Sequence, residues 1–132
     1  MATIIRRTDS SISLTERKRD LLGAVSWQVQ VRSSVWRPPT DVYETENDYV
    51  VRVEVAGMRE GEFEVTLEDG FLVITGSRPD VQERRAYHQM EIRFGRFSTA
   101  VGLPGRVDVE NSRAEYLDGF LTVILPKVSE IS

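Results

Sequence analysis

The tetrapeptide Asp-Gly-Phe-Leu occurs twice, at Asp69 to Leu72 and at Asp118 to Leu121, and it limits the possible folds more than any other feature of the chain. Asp-Gly is a favoured pair for a type I′ turn, because both central residues of that turn need positive φ and its twist matches that of two antiparallel strands. Each copy lies between short apolar or alternating runs. Before the first, Phe63, Val65 and Leu67 alternate with polar residues, three of them acids; after it come Val73 and Ile74, and after the second come Thr122, Val123, Ile124 and Leu125. Two hairpins are therefore expected, each with its register set by its turn. Their glycines are 49 residues apart. This reads as two uses of one turn solution, not as a tandem repeat.

The runs that follow the turns are almost continuously apolar, which predicts strands covered on both faces and two sheets packed face to face. Tyr49, Val51, Val53 and Val55 supply a further half-buried strand by their period of two. From Asp41 onward no useful length has helical periodicity. The expected fold is all-β, an immunoglobulin-like β-sandwich of about seven to nine strands. With 132 residues, 40% of them hydrophobic and 29% charged, one core of this kind uses the chain fully. Arg37-Pro38-Pro39 marks the entry to the sandwich, which gives an arm at 1–35, a sandwich at 36–127 and a short tail at 128–132.

The arm has patterns of its own. Ser13-Leu14-Thr15-Glu16 has the form of a capping box, and Leu14, Leu21, Leu22 and Val25 share one helical stripe. A short helix from Leu14 to about Ala24 is expected, in need of a partner surface because three turns alone are marginal. Trp27, Val29 and Val31 then alternate with polar residues and predict an extended segment over 27–32. Residues 1–40 carry seven basic and three acidic side chains, a net of +4, against about −8 for the remainder. A basic arm beside an acidic domain suits contact with its own or a neighbouring subunit. The acidity of the domain argues against nucleic acid.

Several chemistries lack their residues. With no cysteine there is no disulfide or thiolate nucleophile, which fits a reducing compartment. No apolar run is long enough to span a membrane and no signal-like block opens the chain, so a cytoplasmic protein without membrane contact is expected. There is no phosphate loop, no HExxH and no GxSxG, and His88 is the sole histidine. Neither an enzyme nor a bound cofactor or metal is expected.

The second hairpin carries a more specific pattern. Ala114-Glu115-Tyr116-Leu117-Asp118-Gly119-Phe120-Leu121, followed by Leu125-Pro126-Lys127, resembles the A-x-x-x-[N/D]-G-x-L and x-P-K signature of the small heat-shock proteins, the α-crystallin-domain family. Trp36 to Glu44, Val53 to Met58, Leu72 to Gly76 and Gly95 to Pro104 resemble further blocks of that family, in its order, so the resemblance spans about residues 36 to 127. Thr99 stands where the family usually has arginine, which leaves the stability of a dimer open.

The resemblance implies an ATP-independent holding chaperone that binds partly unfolded clients, suppresses their aggregation in the stress response and assembles into dimers or larger homo-oligomers. The alternative is a p23-like co-chaperone or scaffold module without holdase activity. It also implies strand exchange, in which residues 86–93, with Tyr87, His88, Met90, Ile92 and Phe94 in this region, join a partner's residues 36–44, which include Trp36 and Val42. A family groove between the strands at 62–68 and 112–117 would involve Val65, Leu67, Ala114 and Tyr116. That groove usually takes an I-x-I tail. Here Val128 and Ile131 are three apart and would point to opposite faces of a strand. The substitute is the arm, with Val29-Gln30-Val31 and Trp27 filling the groove and Leu21 and Leu22 available for the groove or for client.

Overall fold

Asp69 and Gly70 have φ of 52° and 83°, and Asp118 and Gly119 have 53° and 85°, so both Asp-Gly pairs form the left-handed turns expected of them. The computed structural model describes residues 7–8, 11–13, 15–17, 35–59, 62–80 and 85–128, the first three segments by their backbone alone. In chain order the strands are β1 (Arg7–Thr8), β2 (Ser11–Ser13), β3 (Thr15–Arg17), β4 (Thr40–Glu44), β5 (Asp48–Glu54), β6 (Phe63–Glu68), β7 (Phe71–Arg78), β8 (Gly95–Gly102), β9 (Arg113–Leu117) and β10 (Phe120–Pro126). They form a six-stranded sheet, β1-β2-β9-β10-β5-β4, and a four-stranded sheet, β3-β6-β7-β8. The two hairpins therefore lie in different sheets: β6 and β7 pair through Leu67 and Leu72, and β9 and β10 through Tyr116 and Leu121.

The core lies between the sheets. Val51, Val53 and Val55 from the β5 run, Val65 from β6, Leu72 and Ile74 from β7, and Leu121, Val123 and Leu125 from β10 are fully buried. Phe97 on β8 stacks edge-on against Trp36 at 5.5 Å and Phe63 at 6.3 Å. One expectation needs correcting. Strands β7 and β10 are not covered on both faces: Val73, Thr122 and Ile124 are only half-buried while their neighbours are fully buried. A two-layer sandwich leaves one face of each sheet toward solvent, and β-branched residues tolerate that face well.

Each side of the sandwich is crossed by a segment that passes from one sheet to the other. On one side the backbone of β2 pairs antiparallel with β9, Ile12 opposite Ala114, and then β3 pairs parallel with β6, Glu16 opposite Leu67. The helix expected to begin at Leu14 is thus absent over Thr15–Arg17, which is strand. Pairing with two open sheet edges supplies backbone partners at once, whereas a short isolated helix must find a surface to stabilise it. The rest of that expected helix, and the extended segment at 27–32, lie outside the described residues. On the opposite side Trp36 donates its amide to Arg96 O at 3.1 Å and accepts from the Ser98 amide at 3.0 Å; the chain then crosses Pro38 and Pro39 to become β4 on the other sheet.

Candidate functional site

Strand β4 ends the six-stranded sheet and pairs only with β5 among the described residues. A terminal strand offers a row of backbone donors and acceptors to any further strand. Two large apolar side chains on it are exposed, Val42 at 44% and Tyr43 at 49%. Its start is fixed across the sandwich. Thr40 Oγ1 donates to Pro38 O at 2.9 Å, so its hydroxyl proton is committed, and Thr99 Oγ1, 2.9 Å away, donates to it. Thr99 is buried on β8 and faces the interior. At the position where the resembled block has arginine, this chain has a short hydroxyl that ties the two sheets together.

The far end of β4 is held by Lys127. Its ammonium donates to Glu44 Oε2 at 2.7 Å and to the carbonyls of Thr45 and Glu46 at 2.8 and 3.4 Å. It also lies 5.2 Å from the centre of the Tyr49 ring. The hydrogen bond that Lys127 donates to Glu44 is the main reason its pKa is raised above its ordinary value. The Pro-Lys that closes the second motif thus locks the β4–β5 turn, a role its place in the sequence does not reveal.

The connection between β7 and β8 exposes a further apolar group. Residues 85–94 form no strand within the chain, and Tyr87, Met90 and Ile92 are 47%, 57% and 66% exposed. His88 is exposed as well, and Phe94 is half-buried. Trp36, expected at an exchanged interface, is instead 7% exposed and donates its indole N–H to Gly95 O at 3.2 Å. Its ring is the partner Phe97 needs inside the sandwich.

Strands β6 and β9, between which the resemblance implies a groove, lie on one side of the sandwich. Val65, Leu67 and Ala114 belong to the buried core, and Tyr116 packs against it with its ring 5.1 Å from that of Phe63. The Tyr116 hydroxyl donates to Val55 O at 2.8 Å. Backbone edges and an apolar interior are therefore adjacent here. The segment paired to both edges is Ser11–Ser13 with Thr15–Arg17. Leu21, Leu22, Trp27, Val29 and Val31 fall outside the described residues. Within residues 11–17, Ile12 and Leu14 have the same i, i+2 spacing as Val29 and Val31.

Comparison with known proteins agrees with this architecture. The model of the Hsp20/alpha crystallin family matches residues 41–132. The chain belongs to that family. Among relatives of this Hsp20-family chain, a 17.9 kDa class II heat shock protein of Helianthus annuus is 32% identical over 128 residues, covering 95% of this chain and 79% of the relative. Small heat shock protein C4 of Rickettsia felis is 29% identical, covering 80% of this chain and 66% of its own length. The chain spans only 57% and 60% of two further relatives, spore protein SP21 of Stigmatella aurantiaca and small heat shock protein C2 of Rickettsia felis. Among solved structures, heat shock protein 16.0 of Schizosaccharomyces pombe superposes with a TM-score of 0.65 at 30% identity, covering 73% of this chain and 91% of the other. A small heat-shock protein of Xylella fastidiosa, described as having a distinct high order structure, gives 0.66 at 26% identity over 75% and 93%.

Proposed function

We propose that the chain is an ATP-independent holding chaperone of the cytoplasm that keeps partly unfolded proteins from aggregating and works as a self-associating subunit. The observation that carries this reading is the pairing of an open apolar strand edge with an exposed apolar connection in one small domain. Val42 and Tyr43 on β4 and Tyr87, Met90 and Ile92 between β7 and β8 are five of the seven exposed large apolar side chains among the described residues, and clustered exposed apolar groups of this kind mark interaction surfaces. Family membership supports the same reading and gives no reason to seek catalysis.

Self-association uses these two surfaces. Residues 86–93 of one subunit add to β4 of another, and a two-fold relation lets each subunit give and receive a strand, with larger homo-oligomers built from such dimers. At the other side of the sandwich, β6 and β9 offer edges to an extended client segment. The arm competes for them through residues 11–17, whose backbone pairs with both edges.

The deciding experiment is suppression of heat-induced or reductant-induced aggregation of a model client at near-stoichiometric ratio without nucleotide, alongside light scattering of the chain alone. Suppression by a self-associating protein is expected. Failure both with and without residues 1–35 refutes holding activity, and a strict monomer without it favours the scaffold alternative.

A further inference from the structure

Arg78, the last residue of β7, makes a set of contacts that neither its sequence context nor the proposed activity accounts for. Its Nε donates to Arg93 O at 2.9 Å, and Nη2 donates to the same carbonyl. Its Nη1 donates to Ala56 O at 3.2 Å. The guanidinium carbon also lies 4.5 Å from the Trp36 ring centre and 5.6 Å from that of Phe94. Arg78 stands where the β7–β8 connection begins, and Arg93 and Phe94 where it ends. The β7–β8 ladder ends with Arg78 opposite Gly95 and so brings the two ends of the connection together, and the Arg78 side chain adds a tie to Arg93 and fastens both ends to the sandwich at Ala56 and Trp36. Trp36 in turn lies four residues before β4.

We propose that Arg78 is a positioning residue for self-association, one that closes the base of the β7–β8 connection so that Tyr87, Met90 and Ile92 are presented to the β4 edge of a second copy. This deepens the self-association reading above and rests on it. The planar fork of arginine suits the task, since it can hold a carbonyl through two N–H groups while its face stacks on aromatic rings; an ammonium can do neither. Fixing the base lowers the conformational entropy that the connection would otherwise lose on docking, so the gain appears as tighter association. The surface gathered at Arg78 thus links the donating connection to the residues that lead into the receiving strand.

The test uses the full chain, with Arg78→Lys as the main variant and Arg78→Ala as the stronger one. Sedimentation velocity over a concentration series should show the dissociation constant of Arg78→Lys raised by about tenfold, the loss of roughly one charge-assisted contact. Hydrogen exchange at residues 85–94 should quicken in Arg78→Lys also when Ile92→Ser keeps the protein monomeric, because the latch acts within one subunit. An unchanged dissociation constant in an associating wild type overturns the latch and leaves self-association standing, even if the thermal midpoint falls. A wild type that stays monomeric at every concentration overturns both.

Discussion

Gly76 shows how closely single residues are fitted in this sandwich. A Cβ at that position would come within 2.6 Å of Phe97 Cζ and 2.7 Å of the Glu62 carbonyl oxygen, and a backbone oxygen cannot swing aside. Gly76→Ala should therefore cost about 1–3 kcal/mol of stability, the usual range for overpacking, read as a lower denaturant midpoint with an unchanged slope. The sequence shows the glycine as the end of an apolar run, whereas the reason for it lies in Phe97 on β8 and the Glu62 carbonyl. Thr99 is similar. Its departure from the arginine pattern could be read from the chain, but its hydrogen bond to Thr40, 59 residues away, depends on how the two sheets face each other.

At the scale of elements, the ends of β4 and the crossing segment β2–β3 are the informative parts. Lys127 has a raised pKa because Glu44 stabilises its charged form, so its contribution to stability is complete below its ordinary value of about 10.4 and is lost as pH rises through the higher folded value. The thermal midpoint of the wild type should fall above pH ~10.4 by more than that of Lys127→Met, in a series of melting curves at constant ionic strength. For the crossing segment, deletion of residues 1–17 should speed hydrogen exchange at the edge amides of β6 and β9 that β2 and β3 cover. The same deletion should increase client binding; exchange rates equal to those of the intact chain would remove the cap from consideration. The β6–β7 and β9–β10 hairpins were fully legible because a two-residue turn sets its own strands. The arm was not. Its local signals favoured a helix, and the two open sheet edges that give Thr15–Arg17 a strand instead are distant in sequence.

At the scale of the whole molecule, five of the seven exposed large apolar side chains among the described residues are on β4 and the β7–β8 connection, Phe71 and Leu117 being the other two, and the proposed self-association would join those two elements. Ile92→Ser should shift the assembly toward smaller species in native mass spectrometry, with its thermal midpoint little changed because Ile92 is 66% exposed. Val42→Glu should do the same from the receiving side, and the two together should add little to either alone if the proposed exchange makes them parts of one interface. The sequence by itself determined the two hairpins, the alternating core faces and the all-β class, because these follow from turn chemistry and side-chain periodicity over a few residues. Only the tertiary structure decided which edges stay open, that Trp36 packs within its own sandwich, that the arm pairs through residues 11–17, that Arg78 fastens the end of the β7–β8 connection, and that Lys127 holds the β4–β5 turn. Those outcomes depend on contacts between residues far apart in the chain, where local pattern carries no information about which partner arrives.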